Sequence, residues 1–286
     1  MDKKNLGESI CQRLKDLSKE RKRPFDEILR YYAMERFLFR LSTSPYNTKL
    51  FLKGGLILKV WDPLDHRATM DIDLLGRISN QIKDLKQVIT EIAAIPYEED
   101  AITFDTQHLT IRRTQTAGDY EEIRASFSAK LFKAKLPVLI DIGFNDIIVP
   151  KPQQIHYPTL LGMPTLELLG YTLETVIAEK LESIVKLGLI NTRMKDFYDL
   201  WTIVQREKLN PKTLELAVKN VFMNRASETK YPIAFTPVFY EATDTLKRWD
   251  NFLSSIGKNT INFQDVIHEI SNHLTPLIKA STNAAD

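Results

Sequence analysis

Apolar residues recur at three-and-four spacing over 3–19 and again over 25–41, the period of an amphipathic helix. Pro24 stands at the head of the second run, where its missing N–H is harmless, so a helical hairpin is expected. From 51 to 150 the pattern changes. A short apolar helix is expected over 54–61, a strand over 70–75, a helix over 79–94, and β-rich stretches over 102–113, 122–132 and 136–144. Pro150, Pro152, Pro158 and Pro164 punctuate a segment without helical period, which reads as an extended connector. A short apolar strand at 166–169 precedes helical patterns over 173–187, 193–206, 211–222, 240–255 and 263–279. The fold class is α+β, with an N-terminal helical hairpin and core over 1–160 and a mostly helical domain over 161–286.

Composition narrows this picture. With 286 residues, 43% hydrophobic and 27% charged, the chain has the makings of one large or two mid-sized globular domains and not of a disordered or fibrous protein. Its most apolar stretch, 138–149, is interrupted by Asp141, Asn145 and Asp146, well short of the roughly 20 apolar residues that a membrane helix needs. The charged N-terminus does not read as a secretory signal. A single cysteine, Cys11, excludes an intramolecular disulfide and suits a reducing cytoplasm. The net charge of +2 carries no global signature of polyanion binding. Basic residues do gather in the first forty positions, Arg21, Lys22 and Arg23 among them, but acids are interleaved there as on a solvated helix face.

Three stretches carry chemistry. In the first, Lys53-Gly54-Gly55 opens a helical turn, where paired glycines let backbone N–H groups approach a phosphate under the favourable end of the helix dipole. Further on, alternation along Met70-Asp71-Ile72-Asp73-Leu74-Leu75 places Asp71 and Asp73 on one face. Two carboxylates so placed repel unless a cation sits between them, and hard oxygen ligands without Cys or His suit Mg²⁺. Arg67 and Thr69, just upstream, stand where they would meet phosphate oxygens, or are turn residues. In the second stretch, Asp141 interrupts the apolar run 136–144, either as a buried hydrogen-bonded acid or as a third ligand, with Asp146 as the competing choice. In the third, Lys180 falls inside the apolar sector of Leu173, Val176, Ile177, Leu181, Ile184 and Leu187, and Asp196 sits at the margin of the next helix's stripe. The two are placed to meet across a helix pair.

A glycine pair, a helix, a D-x-D strand and a later strand carboxylate resemble the nucleotidyltransferase superfamily of the DNA polymerase β type. KGG, R-x-T-x-DIDLL, VLIDIGFND, ETVIAEKLESIVKLG and RMKDFYDLW, running from about Phe51 to Trp201, are similar to the AbiEii/AbiGii toxin family within it. The resemblance implies a mixed sheet at the catalytic core. It assigns Mg²⁺, as two ions, and the NTP to Asp71 and Asp73, with Asp141 as the further carboxylate. Nucleotide contacts fall to Lys53, Gly54, Gly55, Arg67, Thr69 and Lys180, and a role in toxicity to Lys180 and Asp196. Gly55 replaces the serine that the family usually carries. Family members act in toxin–antitoxin and phage-defence systems opposite a cognate antitoxin, and some add nucleotides to tRNA 3′ ends. Expected partners are therefore an NTP, an RNA acceptor such as tRNA, and an antitoxin. The alternatives are a nucleotide-binding regulator without turnover and transfer to a protein hydroxyl. Lys186, Arg193 and Lys195, with Arg21 to Arg23, are the basic positions expected to grip an RNA end.

Overall fold

The computed structural model describes residues 3–62, 67–115, 121–258 and 261–283. The chain divides into two compact units, Met1–Asn145 with Gln153–Tyr171, and Asp146–Pro152 with Thr172–Asp286. Among the described residues no helix is long and apolar enough to cross a membrane.

The first unit opens with the expected hairpin, α1 (Lys3–Glu20) and α2 (Phe25–Thr43). There follow β1 (Leu50–Lys53), α3 (Gly54–Trp61), β2 (Ile72–Gly76), α4 (Ile82–Ala94), β3 (Ile102–Gln115), β4 (Glu121–Leu131), β5 (Ala134–Gly143), β6 (Gln153–Tyr157) and β7 (Leu166–Gly170). These strands form one seven-stranded mixed sheet in the order β3-β4-β5-β2-β1-β7-β6. β3, β4 and β5 are an antiparallel meander, β5 runs parallel to β2, and β1 is antiparallel to β2 but parallel to β7. Strand alternation sorts the two faces. Ile123, Ala125, Phe127 and Ala129 of β4 and Val138, Ile140 and Ile142 of β5 are buried on one face. Phe37 of α2 packs there, its ring 5.8 Å from that of Phe104 and 5.7 Å from that of Phe127. Each such buried aromatic contributes about 1.5–3 kcal/mol. The opposite face carries Arg124 and Lys130, both exposed, and the carboxylates described below.

Two strands lie outside the sequence expectation. β1 is only four residues long and buried on both faces, so it shows no alternation. β6 lies in the stretch read as a connector. Its flanking prolines, Pro152 and Pro158, are tolerated because it is an edge strand, and Ile155 and Tyr157 still point inward. Together β6 and β7 carry the first unit to Tyr171, while 146–152 joins the second.

Behind the sheet lies a buried charged group. Glu35 accepts a hydrogen bond from the Leu160 backbone N–H at 2.6 Å and lies 2.9 Å from Arg36. Lys59 lies over the Tyr31 and Tyr157 rings at 5.3 and 5.0 Å. Burial pushes Glu35 up to about 7 and Lys59 down to about 8. With its pKa raised from 4.5, Glu35 keeps its proton in the folded state where the unfolded chain has lost it. Stability therefore falls as pH rises between those values. Glu35→Gln removes this dependence. Thermal melts at pH 5 and pH 7 should show the native chain losing on the order of 2 kcal/mol relative to the variant; parallel pH profiles would refute the assignment.

The second unit is helical: α5 (Leu173–Leu187), α6 (Met194–Arg206), α7 (Pro211–Asn224), α8 (Pro237–Tyr240), α9 (Thr243–Ser255) and α10 (Phe263–Asn283). Thr172 caps α5 by accepting from Thr175 N–H, and Asn210 caps α7 ahead of Pro211. The hydroxyls of Thr172 and Thr175 also donate to Val149 O at 2.9 Å, which ties 146–152 to the start of α5. The helix expected over 240–255 is α9, which starts at Thr243, and the one-turn α8 that ends before it at Tyr240 was not expected. Phe197, Phe239, Phe263 and Trp249 form an aromatic core, with Phe263 4.8 Å from Trp249 and 5.4 Å from Phe197.

Candidate active site

In the first unit the sheet register builds a charged row. Lys53 of β1 lies opposite Asp73 of β2, Asp73 opposite Asp141 of β5, and Asp141 opposite Arg124 of β4. Asp71 lies at a bend just before β2 rather than within the strand expected over 70–75. It nevertheless joins the row. Ligand oxygens of Asp71, Asp73 and Asp141 all lie within 4.8 Å of one another. Asp146, the competing third acid, instead accepts two hydrogen bonds from Arg225, at 3.1 and 3.0 Å.

Each carboxylate is held by its surroundings. Thr69 Oγ1 donates to Asp71 Oδ1 at 2.9 Å, and Thr69 N–H donates to the Tyr31 hydroxyl at 3.0 Å, so α2 anchors the segment entering β2. Gly55 N–H donates to Asp73 Oδ2 at 3.3 Å. Arg124 grips Asp141 bidentately, Nε to Oδ1 at 2.7 Å and Nη2 to Oδ2 at 2.6 Å. Arg67 is half-buried beside this segment, its carbonyl accepting from Tyr31 at 3.4 Å and its guanidinium donating to Ala68 O at 3.2 Å. Lys53 is buried, 5.9 Å from the Tyr171 ring.

The glycines explain themselves sterically. Gly54 has φ +66°, and a Cβ there would overlap the Asp73 carboxylate. A Cβ on Gly55 would come within 2.7 Å of Thr69 Oγ1, so the serine usual in the resembled family does not fit, and the Thr69 hydroxyl occupies the adjoining space. Gly54→Ala is expected to destabilise by about 1–3 kcal/mol and to displace Asp73. Denaturant midpoints and activity measured on one preparation would check both.

The second unit holds a separate cluster. Lys180 Nζ donates to Asp196 Oδ1 at 2.8 Å and to Asp199 Oδ2 at 2.7 Å, while Arg193 Nε reaches Asp196 Oδ2 at 2.6 Å. Both carboxylates are 1% exposed. Burial alone would raise Asp196, but the Lys180 and Arg193 charges pull it well below the usual carboxylate range. The expected meeting of Lys180 and Asp196 is therefore present, with Asp199 as a second acceptor. Asp199, Arg124 and Tyr31 escaped the sequence reading. Asp199 follows Asp196 by one helical turn and was open to it, whereas Arg124 is identified only by strand register.

Three hard carboxylates in one cluster suit a divalent cation such as Mg²⁺. A family model described as nucleotidyl transferase AbiEii toxin, type IV toxin–antitoxin system, matches residues 36–269. The chain belongs to the AbiEii family. It is a nucleotidyltransferase toxin by that membership, and Asp71, Asp73 and Asp141 are the acidic triad typical of metal-dependent nucleotidyltransferases. Two solved Helicobacter pylori structures are similar at 14% identity. One is a candidate nucleotidyltransferase, with TM-score 0.48 and coverage of 90% of this chain and 96% of that one. The other is JHP933, with TM-score 0.49 and coverage of 91% and 94%. No curated protein matches the chain.

Proposed function

We infer that this AbiEii protein transfers NMP from an NTP to an RNA 3′ end, with tRNA as the acceptor, and so arrests translation until a cognate antitoxin intervenes. The observation that carries the reading is the convergence of Asp71, Asp73 and Asp141 beside the Gly54-Gly55 turn. Arg124 offsets the charge of Asp141, and a divalent cation would offset that of Asp71 and Asp73. The acceptor oxygen bonds to the α-phosphorus, the α–β phosphoanhydride bond breaks, and pyrophosphate leaves. Asp71 and Asp73 would hold Mg²⁺, as two ions, with Asp141 the further ligand. Bound Mg²⁺ supplies charge stabilisation at the phosphoryl oxygens.

The chain's own groups position the reactants. Asp141, fixed by Arg124, takes the proton of the attacking hydroxyl. The Gly54 backbone N–H, with Lys53 and Arg67, faces the triphosphate, while Gly55 acts through its N–H bond to Asp73 and Thr69 through its hydrogen bond to Asp71. Lys180 and Asp196 are proposed, on the family resemblance alone, to neutralise and orient triphosphate charge.

Incubation with each α-labelled NTP, Mg²⁺, total RNA and cell lysate tests the reading. Label in small RNA supports it. Label in protein alone moves the acceptor to a Ser, Thr or Tyr hydroxyl, and bound but untransferred NTP makes the protein a nucleotide-binding regulator.

A further inference from the structure

The face of the sheet that carries the carboxylates continues past Asp141. Arg124 lies opposite Asp141 on one side and Arg112 of β3 on the other, and toward the β4–β5 turn Lys130 lies opposite Lys135. Residues in register share a face, so all four cations stand on the side of Asp73 and Asp141, and all four are exposed. Ser126 and Ser128 lie between them on β4. Two further acids, on β3 and β4, share this face: Asp105, which is held by the His108 ring at 3.0 Å, and Glu122.

Like charges directly opposite one another destabilise a sheet. This face nonetheless holds three such pairs: Asp73 with Asp141, Arg112 with Arg124, and Lys130 with Lys135. A cation relieves the first, and an anion is what relieves the other two. Arg124 is spent on Asp141, whereas among the described residues Arg112, Lys130 and Lys135 have no ion-pair partner. In the N-terminal cluster, by contrast, Arg23 is committed to Glu27 at 2.6 Å. Along β4 from Arg124 to Lys130 the strip runs about 20 Å at about 3.3 Å per residue. That follows several phosphates of one strand and exceeds what a lone side-chain hydroxyl needs.

We propose that the exposed face of β3, β4 and β5 is the acceptor track. The RNA backbone lies across it with phosphates on Arg112, Lys130 and Lys135, the Ser126 and Ser128 hydroxyls contact sugar or phosphate, and the 3′-hydroxyl arrives at Asp141. The track rests on the RNA-acceptor reading above.

The test compares the full chain with the variant Arg112→Gln/Lys130→Gln/Lys135→Gln, using total tRNA as the probe in binding and transfer. Near 0.15 M salt the variant's Kd and KM for tRNA should rise about 10- to 100-fold, and the slope of log affinity against log salt should fall by about 2 to 3. NTP affinity should stay the same, and the melting temperature should hold or rise as like-charge pairs are removed. The charge-keeping variant Arg112→Lys/Lys130→Arg/Lys135→Arg should bind as the native chain does; if it fails like the glutamine variant, charge is not the cause and the track is wrong. If the native chain labels tRNA and the glutamine variant binds it within twofold at an unchanged slope, the track falls while RNA transfer stands. Label in protein alone from the native chain removes both.

Discussion

Asp73→Asn is expected to abolish transfer, lowering it at least about a thousandfold, while the melting temperature holds or rises. The asparagine keeps the volume of the side chain and can still accept the Gly55 N–H at the Gly54-Gly55 turn. It removes one of three carboxylates clustered within 4.8 Å, and so relieves repulsion in the metal-free protein. What is lost is a hard anionic ligand. Charge stabilisation by a bound metal amounts to several kcal/mol, and every 1.36 kcal/mol is about tenfold in rate. Asp71→Asn should behave alike, because the Thr69 hydroxyl can still donate to the amide oxygen. Removing divalent cations with a chelator should copy both variants in the native chain. Transfer within tenfold of native from either purified variant would end the metal-site reading.

The legibility of this site follows from its geometry. Asp71 and Asp73 were readable because their alternation with Met70, Ile72 and Leu74 is local, and the α5 cluster because a lysine in an apolar helical stripe is an anomaly visible at a period of 3.6. The pairing of Asp73 with Asp141 belongs to strand register, which brings together residues far apart in sequence and leaves no local mark. Arg124 escaped for the same reason: a charged residue on an alternating strand reads as a solvent-facing position until its neighbour is known. β1 was hidden by burial on both faces, and β6 by the prolines around it. The helices of both units were legible nearly throughout, apart from α8, whose four residues are too few to show a periodic stripe.

Lys180→Met should destabilise the protein by about 3–5 kcal/mol, the usual cost of removing one partner from a buried ion pair. The substitution preserves the aliphatic stem but leaves Asp196 and Asp199, each 1% exposed, without the ammonium that holds them at 2.8 and 2.7 Å. Arg193 still reaches Asp196, at 2.6 Å, which offsets part of the deficit there. Because the Asp196 carboxyl lies well below its usual range, the native cluster contributes stability that is present above the unfolded-state pKa and is lost as pH falls toward the depressed folded-state value. The deficit of the variant should accordingly narrow in acid, where protonation removes the carboxylate charges that Lys180 had balanced. The triple variant Lys180→Met/Asp196→Asn/Asp199→Asn removes all three charges together and should regain most of the lost stability. Transfer measured on that folded variant separates the two roles of the lysine. Recovery of activity with stability would make the cluster a structural brace, whereas a stable protein with weakened NTP binding would place the Lys180 charge on the triphosphate.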